Sequence, residues 1–214
     1  MHRRYIGFFL LALIWMSGVR AAELAAPQQS IHDAATALRA ALDKNAVQLM
    51  DDPEYVHRIA NQVLMPLVDM NKVSSLVLGR NWRKADKAQK QAFSTEFQQL
   101  LVRTYATAVR EMGDWEIRFP PLRIKPDDKR LLIKSQLLRD GAKPAAIDYS
   151  MYLKDGQWLT YDVKVEGISL VTNYRANFRR VVRQKGIDGL IAQIRALNEK
   201  KRRKGDGQMA GGKR

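Results

Sequence analysis

The chain of 214 residues carries 37 Lys and Arg against 22 Asp and Glu, a formal net charge of +15, and has no cysteine. The missing thiols exclude a disulfide scaffold, thiolate metal sites and a cysteine nucleophile. The length suits one domain with a sizeable core, and the basic excess bears on partners rather than on fold.

The N-terminus reads as a processing signal. His2, Arg3 and Arg4 precede an apolar run from Ile6 to Met16, and Val19 and Ala21 place small residues at the −3 and −1 positions of a cut after Ala21. The run is shorter than the ~20 apolar residues that span a bilayer. Residues 1–21 are therefore expected to direct export and be removed, which places the remainder in the periplasm. Residues 22–198 are expected to form one domain. Residues 199–214 contain KKRRK, Lys200 to Lys204, and a Gly-rich end. That composition predicts a disordered basic tail, suited to transient contact with an anionic membrane surface. Export removes nucleic acid as a partner.

Helices come first. Ser30 to about Leu49 carries Ile31, Ala35, Leu38 and Leu42 on one face. Asp52 and Pro53 open a second helix striped by Val56, Ile59, Val63 and Leu67, which Pro66 kinks or ends. A short helix covers Met70 to Leu78 and closes at Gly79. Asp86 caps a long helix to Met112, with Phe93, Phe97, Leu100, Leu101, Tyr105 and Ala108 inward and Gly113 as its stop.

Strands follow. Trp115 to Phe119, Leu131 to Leu138, and Ile147 to Leu153 precede an Asp155-Gly156 hairpin turn into Gln157 to Val165. Tyr161, Val163 and Val165 alternate with Thr160, Asp162 and Lys164, the pattern of a half-buried strand. After Gly167 the period becomes helical at Val171, Tyr174, Phe178 and Val181. Gly186 breaks that helix, and Ile187, Leu190, Ile191 and Ile194 stripe the next. Helices, then strands, then helices predict an α+β fold with an antiparallel sheet of about four strands.

Catalytic patterns are missing. The mature chain has two histidines, His32 and His57, and no HExxH, GxSxG, Walker loop or GxGxxG. Asp162 and Glu166 share a strand face with Lys164 between them. That setting favours ordinary ionised carboxylates in hydrogen-bonding roles over a general acid of raised pKa. No catalytic residue, metal site or cofactor is expected.

What remains is apolar surface on two layers. The sheet offers Tyr149, Met151, Tyr161, Val163 and Val165. The helices offer Leu76, Val77, Leu78, Phe93, Phe97, Leu101 and Tyr105, then Ile168, Val171, Tyr174 and Phe178. Periodicity alone is satisfied by a dry core and cannot show a gap between the layers.

Two long segments carry a resemblance. LVLGRNWRKADKAQKQAFSTEFQQLLVRTYA, Leu76 to Ala106, and DGQWLTYDVKVEGISLVTNYRANFRRVVRQKGIDGLIAQI, Asp155 to Ile194, resemble the MlaC or toluene-tolerance family. The resemblance runs from about Ala34 to Leu197, and the tail from Lys201 matches no pattern of the family. It implies a cone-like, NTF2-like sheet and helices that separate enough to hold phospholipid acyl chains. The apolar residues just named would then line the cavity, with Arg80 and Arg175 as candidates for the headgroup. It further implies exchange with an outer-membrane lipoprotein–porin complex and with an inner-membrane ABC transporter bearing a periplasmic lipid-binding ring. A binder of another hydrophobic molecule such as a hopanoid, and an exported enzyme with an apolar pocket, remain alternatives.

Overall fold

The apolar stripes fold into a layer of helices set against an antiparallel meander. A computed structural model describes residues 24–44, 53–111 and 115–210. The expected signal at 1–21, the Asp52 cap and the stop at Gly113 lie outside the described residues.

Helix α1, Ala26–Lys44, begins earlier than its stripe suggested. Gln28 explains this: its side chain accepts from the Ala25 amide at 3.1 Å and donates to the Pro120 carbonyl at 2.8 Å. That bond ties the helix entry to the loop after the first strand. Helix α2, Pro53–Leu64, gives way to a 3-10 turn at Met65–Leu67, where Pro66 has no amide to continue the ladder. Helix α3, Met70–Leu78, is capped by Asp69, which accepts the Lys72 amide at 2.8 Å, and ends at Gly79 with φ 56°. Helix α4 is Arg80–Lys84. Helix α5, Lys87–Glu111, opens with a reciprocal capping box in which Asp86 accepts the Gln89 amide and Gln89 accepts the Asp86 amide.

Five strands form one sheet in the order β1-β2-β3-β4-β5. They are β1 Glu116–Arg118, β2 Arg130–Leu138, β3 Ala145–Lys154, β4 Gln157–Val165 and β5 Ile168–Ser169, all paired antiparallel. The α+β class and antiparallel sheet agree with the sequence reading. Asp155 and Gly156 both adopt positive φ, 50° and 79°, as a tight hairpin demands. Glu166 and Gly167 repeat that geometry at 49° and 78°. The second turn is why Ile168 and Ser169 form a short strand before the helix begins.

Helix α6 runs Leu170–Ala210 with a break at Gly186, whose φ of 71° and ψ of −177° no helix contains. The backbone of 199–210 continues the second limb, where a disordered tail was expected. Asn198 donates to the carbonyl and side chain of Glu96, and Lys201 donates to Thr104 Oγ1 at 2.8 Å. These bonds dock the start of the basic run on α5, and Lys and Arg are good helix formers.

Candidate functional site

The sheet presents one apolar face. Along β2, Leu131, Ile133, Ser135 and Leu137 point inward while Leu132 is exposed. Register aligns Ile133 with Tyr149 and Tyr149 with Val163; Ser135 aligns with Ile147, and Ile147 with Val165. The polar member of the face is satisfied, since Ser135 Oγ donates to the Ile147 carbonyl at 2.9 Å. Burial pushes the Tyr149 hydroxyl up to about 12, against the opposing effect of its bond with Ser135. Ile31 of α1 packs with Ile133 and Met151, and Phe119, Leu122 and Trp158 surround them.

The helical layer has its own core. Val73, Val77 and Leu78 of α3, Phe93, Phe97 and Leu100 of α5, and Val171, Phe178, Leu190, Ile191 and Ile194 of α6 form one buried cluster. Phe97 is its centre. Its ring centroid lies 5.5 Å from Phe93, 5.5 Å from Phe178 and 5.0 Å from Tyr174, the last two edge-on. Tyr105 is pushed up to about 12 by burial and by its hydrogen-bonded neighbour Tyr174.

No residue belongs to both clusters. Helices α1, α3 and α6 reach the sheet chiefly along β4, whereas α5 packs on α2, α3 and α6. The layers therefore meet chiefly along β4, with Ile31 of α1 on β2 and β3 and Asp69 reaching β3. Asp69 makes the joint: its amide donates to the Thr160 carbonyl at 3.0 Å, and its carboxylate receives Tyr152 Oη and lies 3.5 Å from Lys154 Nζ. Burial alone would raise the Asp69 pKa. The bonds from Tyr152 and the Lys72 amide, with the Lys154 charge, outweigh burial and hold it below the usual carboxylate range. Asp162 makes a second joint. It accepts Ser169 Oγ at 2.6 Å and the Val171 amide at 3.0 Å, which caps α6. Glu166 accepts the Ala146 amide at 2.5 Å. Both carboxylates thus hold backbone, as the sequence favoured.

The residues expected to line a cavity separate into groups. Val77, Leu78, Phe93, Phe97, Val171 and Phe178 lie inside the helical cluster, with Leu76, Leu101 and Tyr174 packed against it. Tyr105 is half-buried at its margin. Met151 and Tyr149 lie in the sheet cluster, and Val163 stands beside Tyr149. Val165 and Ile168 flank the Glu166-Gly167 turn, 38% and 63% exposed. Tyr161 departs from the strict alternation expected of its strand. A bulge between Ser150 and Met151 moves the partner of Met151 to Thr160 and leaves Tyr161 as the extra residue. Its ring meets Tyr152 at 5.8 Å and 71°, and Lys72 Nζ sits 3.5 Å from the Tyr152 centroid and 5.1 Å from that of Tyr161.

Arg80 and Arg175 do come together, in a cleft of about 930 Å³ between α3–α4 and α6. Arg83, Lys84, Arg179 and Arg183 join them, and no strand residue lines it. Sequence reasoning missed these four, although Arg175, Arg179 and Arg183 recur every four residues and so share one helix face. It also missed the Asp69–Tyr152 joint, for which only the N-cap pattern of Asp69 gave a signal.

Among the described residues no group of three or more His, Cys, Asp or Glu could hold a metal ion, and no helix is long and apolar enough to cross a membrane. A family model described as MlaC protein matches residues 32–196. The chain is 24% identical over 171 residues to the intermembrane phospholipid transport system binding protein MlaC of Haemophilus influenzae, covering 78% of this chain and 80% of that one. It is 24% identical over 163 residues to the toluene tolerance protein ttg2D of Pseudomonas putida, covering 76% and 75%. A solved phospholipid-binding protein from Ralstonia solanacearum, in complex with a phospholipid, superposes with a TM-score of 0.76 at 25% identity, covering 83% of this chain and 99% of that one.

Proposed function

The chain belongs to the MlaC family of phospholipid-binding transport proteins, and we propose that it is a periplasmic carrier that takes up phospholipid acyl chains between its two layers. The observation that carries this reading is the division of the buried apolar residues into a cluster on the sheet and a cluster among α3, α5 and α6, the helices reaching the sheet chiefly along β4. A dry α+β core would merge the two. Tyr149 and Val163 on the sheet and Leu76, Leu101, Tyr105 and Tyr174 on the helices are only partly buried, and in this reading an acyl chain covers their remaining surface.

Energetics explain why such a carrier needs no chemistry. Burial of a methylene is worth about 0.8 kcal/mol, so one long acyl chain represents on the order of 10 kcal/mol. That cost keeps a phospholipid from crossing water unaided. A cavity about as apolar as the bilayer removes it in both directions, and the phosphate stays at a polar mouth because burying it unpaired is unfavourable. Donor and carrier are then nearly isoenergetic. Direction comes from the partners, here an outer-membrane lipoprotein–porin complex and an inner-membrane ABC transporter with its lipid-binding ring.

The test is to purify the mature form, extract it with organic solvent and identify what is released by mass spectrometry, then to follow uptake from labelled vesicles. Co-purified phospholipid and uptake are expected. A bare protein that takes up nothing would contradict the proposal, and a polycyclic lipid in place of phospholipid would reassign its cargo.

A further inference from the structure

The cleft between α3–α4 and α6 is a different place from the space between the layers. Its floor is the helical core itself, through Val77, Leu78 and Phe178 with Val182 beside them. Its walls hold five arginines and one lysine and no carboxylate. Each of the six cations lacks an ion pair with any Asp or Glu among the described residues. Gathering like charges without counter-ions is unfavourable for folding, so the cluster calls for an anion from outside.

The local backbone makes room for this cluster. Gly79 has φ 56°, and a Cβ there would lie 2.9 Å from Arg175 Nη2. The guanidinium therefore rests on bare backbone between the α3 terminus and α6. Arg175, Arg179 and Arg183 repeat at four-residue spacing along α6, and Arg80, Arg83 and Lys84 face them from α4. Arginine predominates. Its planar fork matches phosphate oxygens in pairs, where lysine acts as a point charge. A bare ion needs no apolar floor, and a flat bilayer does not fill a concave cleft of about 930 Å³. Cationic walls over a carbon-lined floor suit a small organic phosphate whose carbon skeleton lies beside its charge.

We propose that this cleft binds the phosphate-bearing headgroup region of a lipid, at a site separate from the acyl-chain space. The phosphate is held by Arg175 and Arg179 with Arg80 and Arg83 opposite, and the glycerol portion covers Val182 and Phe178. The site lets the carrier grip a lipid headgroup at a membrane without using its cargo space. It stands apart from the carrier reading, because headgroup binding here needs no acyl chain.

The experiment uses tail-free probes, so that the acyl-chain space takes no part. The full mature chain is titrated by calorimetry with glycerophosphoglycerol, a deacylated lipid headgroup, and separately with inorganic phosphate, at low and raised salt. The expected result is saturable binding of the diester, tighter than that of inorganic phosphate and weakened by salt. Arg175→Gln with Arg179→Gln should weaken it about tenfold or more, since bonds to charged groups are involved. Both side chains are exposed, so the thermal midpoint should stay as in the parent. Arg83→Gln with Arg183→Gln is the second pair and should act alike. Equal or tighter binding of inorganic phosphate would overturn the headgroup assignment and mark a free-phosphate site. Binding of neither probe, or binding that both double variants retain, would overturn the site. Loss of co-purified lipid in both double variants would overturn its separateness. A parent protein without co-purified lipid would contradict the carrier reading and leave the calorimetric result to stand on its own.

Discussion

Asp69 ties a helix to the sheet through several bonds at once. It caps α3, draws the Thr160 carbonyl onto its amide, and receives Tyr152 and Lys154 from the sheet. Asp69→Ala removes the cap and strands the Tyr152 hydroxyl, and should cost about 2 kcal/mol. Asp69→Asn keeps the cap acceptor and should cost less. Urea denaturation measures both, and an unchanged midpoint in Asp69→Ala would contradict the joint. A second polar group sits between α2 and α5. Arg103 holds Glu54 with two bonds, 2.5 and 2.8 Å, and His57 Nδ1 lies 3.5 Å from the same carboxylate. The bonds from Arg103 keep Glu54 below the usual carboxylate range. Burial, aided by the charge of Arg103, keeps His57 below the usual histidine range despite Glu54. Both folded values are depressed, so the unfolded chain binds protons first on acidification. Stability should therefore fall as pH drops below about 6.5, and fall again through the carboxylate range. His57→Gln should flatten the first of these two decreases in a pH series of urea midpoints. An unaltered first decrease would show that His57 is not its source.

Gly186 sets the shape of the longest helical element. Its φ of 71° with ψ of −177° is a conformation only glycine adopts comfortably. The bend lets Val171 and Phe178 of the first limb and Leu190, Ile191 and Ile194 of the second enter one core. Gly186→Ala should destabilise the fold by roughly 1 to 3 kcal/mol, read as a lower thermal midpoint. An alanine variant as stable as the parent would show that the bend is not needed. This break was legible in the sequence because glycine interrupts two apolar stripes, and the caps at Asp86 and Gly79 were legible for the same local reasons. Tyr161 was not. A bulge is a relation between two strands, and the β4 sequence alone keeps perfect alternation. Nor was the docking of Asn198 and Lys201 on α5, because composition reports what a segment could bury alone and not which neighbour will receive it. The Arg cleft needed the turn at Gly79 to bring α4 against α6, although half of its cations already shared one helix face.

At the scale of the molecule, an ordinary α+β domain fuses its helical and sheet faces into one core. Here the helical core closes on itself around Phe97, and the sheet keeps a separate apolar cluster in which Ile31 of α1 packs with Ile133 and Met151. The sequence placed nearly every apolar residue on the correct element, yet period alone could not separate fused layers from parted ones. The family resemblance supplied that choice. The direct test is photolabelling with a phospholipid that carries a diazirine in its acyl chain, followed by peptide mapping. The account predicts labels on the inward residues of β3 and β4, around Tyr149 and Val163, and on Leu101 or Tyr105 of α5. Labels confined to the outward face around Leu132, or no labels on a protein that remains folded, would contradict it.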